Sequence, residues 1–526
     1  MKTFRAFLSL ILSLLLMICL LNGCSSDEGY VLYFELDEQP STLDPQLASG
    51  TAEELLVRNL FEGLTRMDMN GAVTNGAAES HTVSEDGLIY TFTISPQAVW
   101  SNGDPLTAQD FVFALTRAVD PKTAAPNAAA LYCIENAEKI NTGKQTGGLG
   151  VKALGERQLE IRLLEKNPDF LQLLTSAICM PCHQQTFEKA KGKYGLDAEH
   201  FLSNGSFRLR TWNKEKSFSL RINRNEQYAG NFPAEASAVI FSQGDATGRA
   251  ARIENASLDL GFVSPAEAGD QAGKFLFEKT CYALVMNKAS PIGKEKFRRA
   301  LETSIHRNRL KNELPDGFTV SDTLLPNAVT LSDKPLSAQC SVTPPAEYNP
   351  TAAHELFLQG VKADADPGAF SILYYGDEAV VQMAGLLAES FQQALGAVVN
   401  ITSAESQSAL FSTVQNGNYT LALVPITAQS ESPKQFLSKF TANSTENIFG
   451  FNSREYDAQV KKITATSDAA AVIKATQTAL NLLAGDHSVI PLASSSEAFA
   501  YSAEYSCPKA SPFHGVIDLA LIRRNK

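Results

Sequence analysis

The chain has 526 residues, 44% of them hydrophobic and 19% charged, with a formal net charge of −12. This is a globular composition with enough material for two or three domains. An acidic balance with no basic cluster argues against nucleic acid as a partner, and solubility accounts for the charge.

The N-terminus reads as a targeting segment. Lys2 and Arg5 precede an apolar run over residues 6–21, too short for a comfortable transmembrane helix. Leu21-Asn22-Gly23-Cys24 follows, with small residues just ahead of a cysteine, and resembles a bacterial lipobox. It implies cleavage after Gly23, lipid on Cys24, and a polar tether to residue 30. A plain secretory signal or a membrane anchor is the alternative. Several acyl chains on one terminus hold a protein firmly at a membrane. The expected location is the extracytoplasmic side, in a periplasm or on the outer surface.

Residues 31–36 then read as a strand. Residues 51–54 form a capping-box pattern ahead of a helix carrying Leu55, Leu56, Asn59 and Leu60, with Gly63 as its C′ residue. Residues 88–94 alternate apolar and polar and predict a strand. Asn102-Gly103 is a turn signal. Thr107 is an N-cap with Asp110 placed to reach back to it. Phe111, Ala114, Leu115 and Ala118 recur at helical spacing, and Asp120-Pro121 stops that helix.

Residues 151–154 and 159–163 predict a hairpin. Strands are expected at 258–262 and 281–287, and a helix at 297–307. Residues 311–350 are Pro-rich and aperiodic, a long surface connection. Beyond them, strands at 370–375, 398–402 and 419–424 alternate with helices, the first of which ends at Gly396. Such alternation predicts a parallel or mixed sheet covered on both faces. Residues 489–492 and 516–522 read as strands returning to the first lobe, and no internal repeat is apparent.

Six cysteines lie beyond Cys24: Cys133, Cys179, Cys182, Cys281, Cys340 and Cys507. Cys179-Met180-Pro181-Cys182-His183 matches the c-type haem pattern and also a redox pair. A loop with a local disulfide or two free thiols is the preferred reading. Zinc is disfavoured, because His200 is the nearest further ligand. No cofactor or metal is expected. No G-x-S-x-G, H-E-x-x-H or P-loop pattern occurs, and His354-Glu355 lacks a second histidine. The expectation is therefore not an enzyme.

Several blocks carry a family resemblance. They are Thr42-Leu43-Asp44-Pro45, Phe61-Glu62-Gly63-Leu64, residues 100–121, residues 203–207 with Trp212 and 223–230, and the helix at 297–307. In this order they closely resemble the family 5 extracellular solute-binding proteins, the oligopeptide-binding receptors of ABC importers and their relatives. The resemblance runs from about residue 31 to the C-terminus. It implies an α/β, two-lobed periplasmic-binding-protein fold of type II, with an extra N-terminal subdomain and mixed sheets with covering helices. The implied division is 1–23 signal peptide, 24–30 tether, 31–61 plus 190–280 plus 485–526 lobe I, 62–189 extra subdomain, and 281–484 lobe II. It also implies a monomer that closes on a peptide or other small solute and docks on ABC permease subunits. Ligand-lining positions by this resemblance are Tyr132, Phe262, Val263, Ser264, Thr427, Ala428 and Gln429.

One segment departs from the family. Peptide-binding members carry an Arg, a Gly-Trp pair and an Asp that pairs with the peptide's α-ammonium. Ungapped alignment puts Leu423, Pro425-Ile426 and Gln429 at those places, with Glu431 matching the Asp if the register slips by two. Gln407 stands for an expected Trp and Val414 for an expected Arg. A buried ammonium without a carboxylate is costly. The departure suggests longer or N-blocked peptides, or a non-peptide solute such as a sugar or metal chelate. A sensor or chaperone on the same fold is a further alternative. By the same resemblance the CxxC cysteines substitute into a family loop whose register Pro181 and Glu188-Lys189 keep. The disulfide some members carry near Cys281 lacks its partner, with Thr427 at the matching place.

Overall fold

The computed structural model describes residues 29–525, apart from 69–71, 168, 216, 246, 269–272, 333, 365, 429, 445, 467 and 508–516. The lipobox with Cys24, and Gln429, therefore lie outside the described residues.

Two sheets organise the molecule. Their strands in chain order are β1 (Val31–Leu36), β2 (Ala78–Val83), β3 (Ile89–Ile94), β4 (Val151–Ala153), β5 (Gln158–Arg162), β6 (Phe207–Asn213), β7 (Ser219–Arg224) and β8 (Ala238–Gln243). There follow β9 (Leu260–Val263), β10 (Lys274–Met286), β11 (Phe318–Val320), β12 (Phe370–Tyr374), β13 (Val399–Ser403), β14 (Leu421–Thr427) and β15 (Val489–Tyr501). Strands β2, β3, β5 and β4 make a four-stranded antiparallel sheet in that spatial order. The remaining strands form one 11-stranded mixed sheet, ordered β13-β12-β14-β10-β15-β9-β1-β8-β7-β6, with β11 also on β15.

The long sheet serves two lobes. Strands β10 and β15 are 13 residues each and are the members shared by both. Lys274–Phe277 of β10 pair with Ala500–Glu497 of β15, beside β9; Thr280–Val285 pair with Ser495–Val489, beside β14. The ladder shifts register between Phe277 and Thr280, so the strands are interrupted where one lobe gives way to the other.

In the second lobe the strands are buried on both faces. Cys281, Ala283 and Val285 of β10, with Ala422, Val424 and Ile426 of β14, face helices Arg454–Ala465 and Ala469–Asp486. Leu284, Met286, Leu421 and Leu423 point the other way, into a core with Leu301 of helix Glu295–Thr303 and Leu387 of helix Glu378–Leu395. This period of two within a continuous apolar run is what a doubly covered sheet requires. Gly396, at φ 68°, ends the second of these helices as expected. The first lobe and the four-stranded unit share one core that includes Phe34, Leu55, Phe92 and Trp100.

Residues 100–121 fold as read. Gly103 takes φ 92° in the turn, and the helix spans Ala108–Val119. Asp110 Oδ2 accepts from Thr107 N at 2.8 Å and Thr107 Oγ1 at 2.9 Å, and Trp100 Nε1 donates to it at 3.4 Å. Asp110→Ala is expected to cost about 1–3 kcal/mol, because it leaves buried donors unpaired. A shift of the urea midpoint checks this.

Other local expectations fail for tertiary reasons. Helix Thr51–Leu60 is preceded by Gly50, without a side-chain cap. The Glu53 carboxylate instead accepts from Ser41 N and Oγ at 2.7 and 2.8 Å, across the preceding loop. Gly63 is not left-handed; a Cβ there would meet Leu174 O at 2.8 Å, so close packing is its role. The helix at 297–307 divides at Ser304, and a second helix, Arg307–Glu313, is capped by His306. Within residues 516–522, Leu519–Leu521 form a 3-10 turn rather than a strand, anchored by Leu519 N donating to Asn59 Oδ1 at 2.8 Å.

Candidate functional site

The ends of β9 and β14 face one another across the shared strands. In β-α architectures ligands sit beyond the carboxyl ends of strands where the connection changes direction. Val263, the last residue of β9, is opposite Ala498 of β15, while Thr427, the last of β14, is opposite Thr280 of β10 and through it Ser495. The two ends thus converge within a few residues on the interruption between lobes.

The residues expected to line the ligand fall into three places. Phe262 is half-buried between Phe34 and Phe499, with ring centroids 6.3 and 5.3 Å away. Val263 packs into a small core with Ile253 and Ala498, so its backbone is what it offers a ligand. Ser264 is exposed, and its Oγ accepts from Glu267 N at 3.2 Å. Across the junction, the Thr427 and Thr280 hydroxyls are 2.9 Å apart. Ala428 is buried in the second lobe, with its N–H donated to Lys279 O at 2.8 Å. Glu431, the shifted-register candidate, has its carboxylate 3.3 Å from Thr330 Oγ1, which donates to it. Tyr132 sits on the four-stranded unit, where its hydroxyl donates to Asn141 Oδ1 at 2.8 Å; among the described residues no hydrogen bond links it to those of β9 or β14.

Apart from the Glu431 carboxylate, the described positions expected to line the ligand are aromatic, aliphatic or hydroxyl-bearing. The nearest ion pair along the shared strands is Lys279 Nζ–Glu497 Oε2, at 2.9 Å. Such a surface offers main-chain groups, hydroxyls and an aromatic face to a ligand. The sequence reading missed a second contact between the bodies. Ser432 Oγ hydrogen-bonds Asp169 Oδ2, and Lys434 Nζ lies 3.9 Å from Glu165 Oε1, joining the four-stranded unit directly to the second lobe. Ser432 caps helix Pro433–Ser438, and nothing local in the sequence points to a partner 263 residues away.

Cys281, a free thiol, pairs across the sheet with Ile426, and Thr427 with Thr280.

The Cys179–His183 motif is structural. Both thiols are free, Cys179 being 2% and Cys182 0% exposed, and burial pushes each up to about 12. His183 caps helix Gln184–Ala190, its Nδ1 accepting from Thr186 N at 3.2 Å. Thiols so enclosed offer no reach to porphyrin vinyl groups. At pH 8 their thiolate fraction is roughly a thousandfold below that of an ordinary cysteine. Iodoacetamide followed by peptide mass spectrometry is expected to leave both unmodified in the native protein and to label both in urea.

The comparisons with known proteins agree with this architecture. Residues 72–447 match the model of the bacterial extracellular solute-binding proteins, family 5 Middle. A dipeptide-binding protein of Lactococcus lactis subsp. cremoris is 28% identical over 485 residues, 88% of each chain. A probable deoxycholate-binding periplasmic protein of Escherichia coli is also 28% identical, over 84% of this chain and 83% of its own. The solved structure of Listeria monocytogenes OppA bound to peptide superposes with a TM-score of 0.75 at 21% identity, covering 95% of this chain and 99% of that one. Its fold is the same two-lobed arrangement. The chain belongs to the family 5 bacterial extracellular solute-binding proteins.

Proposed function

We propose that this protein is the substrate-binding component of an ABC importer for peptides, anchored by lipid on Cys24 at the extracytoplasmic face of the membrane. Ligand is captured between the lobes and delivered to the permease. The observation that carries this reading is the pair of shared strands, β10 and β15, with their ladder shift between Phe277 and Thr280. A two-strand connection with a break is a natural hinge, and a ligand that touches both lobes stabilises only the closed form.

Lobe I is then 31–61 plus 190–280 plus 485–526, the extra subdomain 62–189, and lobe II 281–484. Packing of Ile490, Leu492 and Ala493 with the second lobe favours carrying lobe II onward to the hinge near Ser495. Phe262, Ser264 and Thr427 present side chains to the ligand, Val263 and Ala428 present backbone, and Tyr132 and Gln429 complete the lining. Among the described residues no helix is long and apolar enough to cross a membrane.

An extended peptide can add to exposed strand ends through main-chain bonds, which suits a site poor in charge. The same poverty favours a second reading, an apolar or weakly polar solute that is not a peptide. The kinship with a deoxycholate-binding relative supports keeping it. The test is mass spectrometry of whatever co-purifies with the soluble protein lacking Cys24, followed by calorimetry. Peptides are expected, bound as well when N-acetylated as when free. Recovery of a sterol-like or sugar ligand, with no heat from any peptide, would replace the peptide reading by the second one.

A further inference from the structure

Strand β1 has a parallel neighbour on each side, β8 and β9. The chain leaves β8, forms helix Arg249–Glu254 and enters β9 on the far side of β1. This crossing makes the carboxyl end of β1 a switch point, where such sheets open a crevice. Here a single side chain fills it. Arg249 is 0% exposed. Its Nε donates to Glu35 Oε1 at 2.9 Å, its Nη2 to Gly244 O at 2.8 Å, and its Nη1 to Asp37 Oδ1 at 2.6 Å and to Phe262 O. Those partners stand at the carboxyl ends of β1, β8 and β9. Only a guanidinium supplies enough donors in a fixed fork to reach all three.

The room for it is built in. A Cβ on Gly261 would meet Arg249 Cδ at 2.6 Å. Glu35 and Asp37 balance the buried charge, and Arg252 also bonds Glu35. The ladder between β1 and β9 ends at Glu35–Gly261, so the next carbonyl, Phe262 O, takes its hydrogen bond from Arg249 instead. A second tie runs in parallel. Glu267 Oε1 accepts from Gly248 N at 2.9 Å, while Glu267 N donates to Ser264 Oγ at 3.2 Å. Residues 262–264, one wall of the lobe junction, are thus held from the start of the helix that crosses β1.

We propose that Arg249 is a positioning residue of the ligand site. Through the Phe262 carbonyl it fixes the direction in which β9 ends, and so where Val263 and Ser264 meet the ligand. A strand end held in the free protein spares the ligand the cost of ordering it. The inference rests on the peptide reading for what is bound, and on the hydrogen bonds of Arg249 for how the wall is held.

The test works from Asp37, whose side chain is 60% exposed, because removing Arg249 itself would strand two carboxylates. It uses the soluble protein lacking Cys24, with tetra-alanine as probe. Asp37→Ala is expected to weaken binding about fivefold in calorimetry, and Asp37→Asn, which keeps an acceptor for Nη1, to stay within about twofold of the original. In a double-mutant cycle the loss from Asp37→Ala is expected to shrink below about twofold beside Ser264→Ala and to persist in full beside Thr427→Ala, which lies on the other lobe. Without ligand, amide hydrogen exchange over residues 260–268 is expected to quicken in Asp37→Ala and not in Asp37→Asn. Equal losses for the two Asp37 variants would assign the effect to a direct charge contact with the ligand and overturn the proposal. So would a loss that is additive with Ser264→Ala, or exchange at 260–268 that does not change. No heat from tetra-alanine with the unaltered protein would sink the peptide reading, while quicker exchange in Asp37→Ala would still support the hold of Arg249 on β9.

Discussion

Arg117→Met is expected to cost the fold about 3–5 kcal/mol, the largest stability loss anticipated for a single polar side chain here. Arg117 is 8% exposed and Asp44 2%. Its Nη2 donates to Asp44 Oδ2 at 2.6 Å, and its Nη1 donates to Gln46 Oε1 at 2.7 Å and approaches Cys182 Sγ at 3.3 Å. The guanidinium also lies 3.9 Å above the Phe187 ring. Gln46 in turn donates to Ile178 O and Met180 O. One side chain therefore ties the Thr42–Pro45 turn of the first lobe to helix Ala108–Val119 and to the cysteine loop. Gly195, at φ 73°, completes the knot, because a Cβ there would meet Asp44 N at 2.3 Å. Methionine fills the volume but leaves Asp44 buried and without its cation, which is where the cost arises. Adding Asp44→Asn is expected to recover part of the loss by removing the stranded charge. Urea unfolding of the three proteins checks both statements; a loss under about 1 kcal/mol for Arg117→Met would show that water reaches the pair.

The same knot shows what the sequence makes legible and what it does not. The turn, the helix from Ala108 and the loop at Cys179 are each readable, since their signals span only a few residues. Asp110 answers Thr107 because it is three residues away on the same turn of helix. Glu53 stands two residues after Thr51 and answers Ser41 instead, a choice made by the packing of a loop. The shared strands were seen only in part, at 281–287 and 489–492, although β10 and β15 run from Lys274 and on to Tyr501. The reason is physical. Each strand changes the core it serves at the junction of the lobes, and polar residues such as Lys279, Ser495 and Glu497 break the apolar pattern there. The part of each strand at the lobe junction is thus the part with the weakest periodicity. The fold class and the family were legible because many local signals agree in order along the chain. The contact of Ser432 with Asp169 was not, since it exists only once the lobes are assembled.

That contact supports the largest functional change expected. Ser432→Asp should weaken ligand binding roughly ten- to a hundredfold while leaving each lobe folded. Ser432 plays two parts: its Oγ accepts from Gln435 N at 3.3 Å as the cap of helix Pro433–Ser438, and it hydrogen-bonds Asp169 on the other body. Aspartate caps a helix as well as serine does, so the first part survives. The second becomes a repulsion between two carboxylates about 4 Å apart, worth between about 1 and 4 kcal/mol depending on how much water screens them. On the proposed hinge closure, this cost falls only on the closed arrangement, since separated lobes would keep the charges apart. The apparent affinity drops by the fraction of closed protein that is lost. Ser432→Asn controls for size, because asparagine has the shape of aspartate, caps equally well and can donate to Asp169; its affinity is expected to stay within about threefold of the original. Near 1 M salt the screening length falls to about 3 Å, and the aspartate variant should regain much of its affinity. Equal losses for the aspartate and asparagine variants, insensitive to salt, would assign the effect to crowding at a buried position and not to the closing of the lobes.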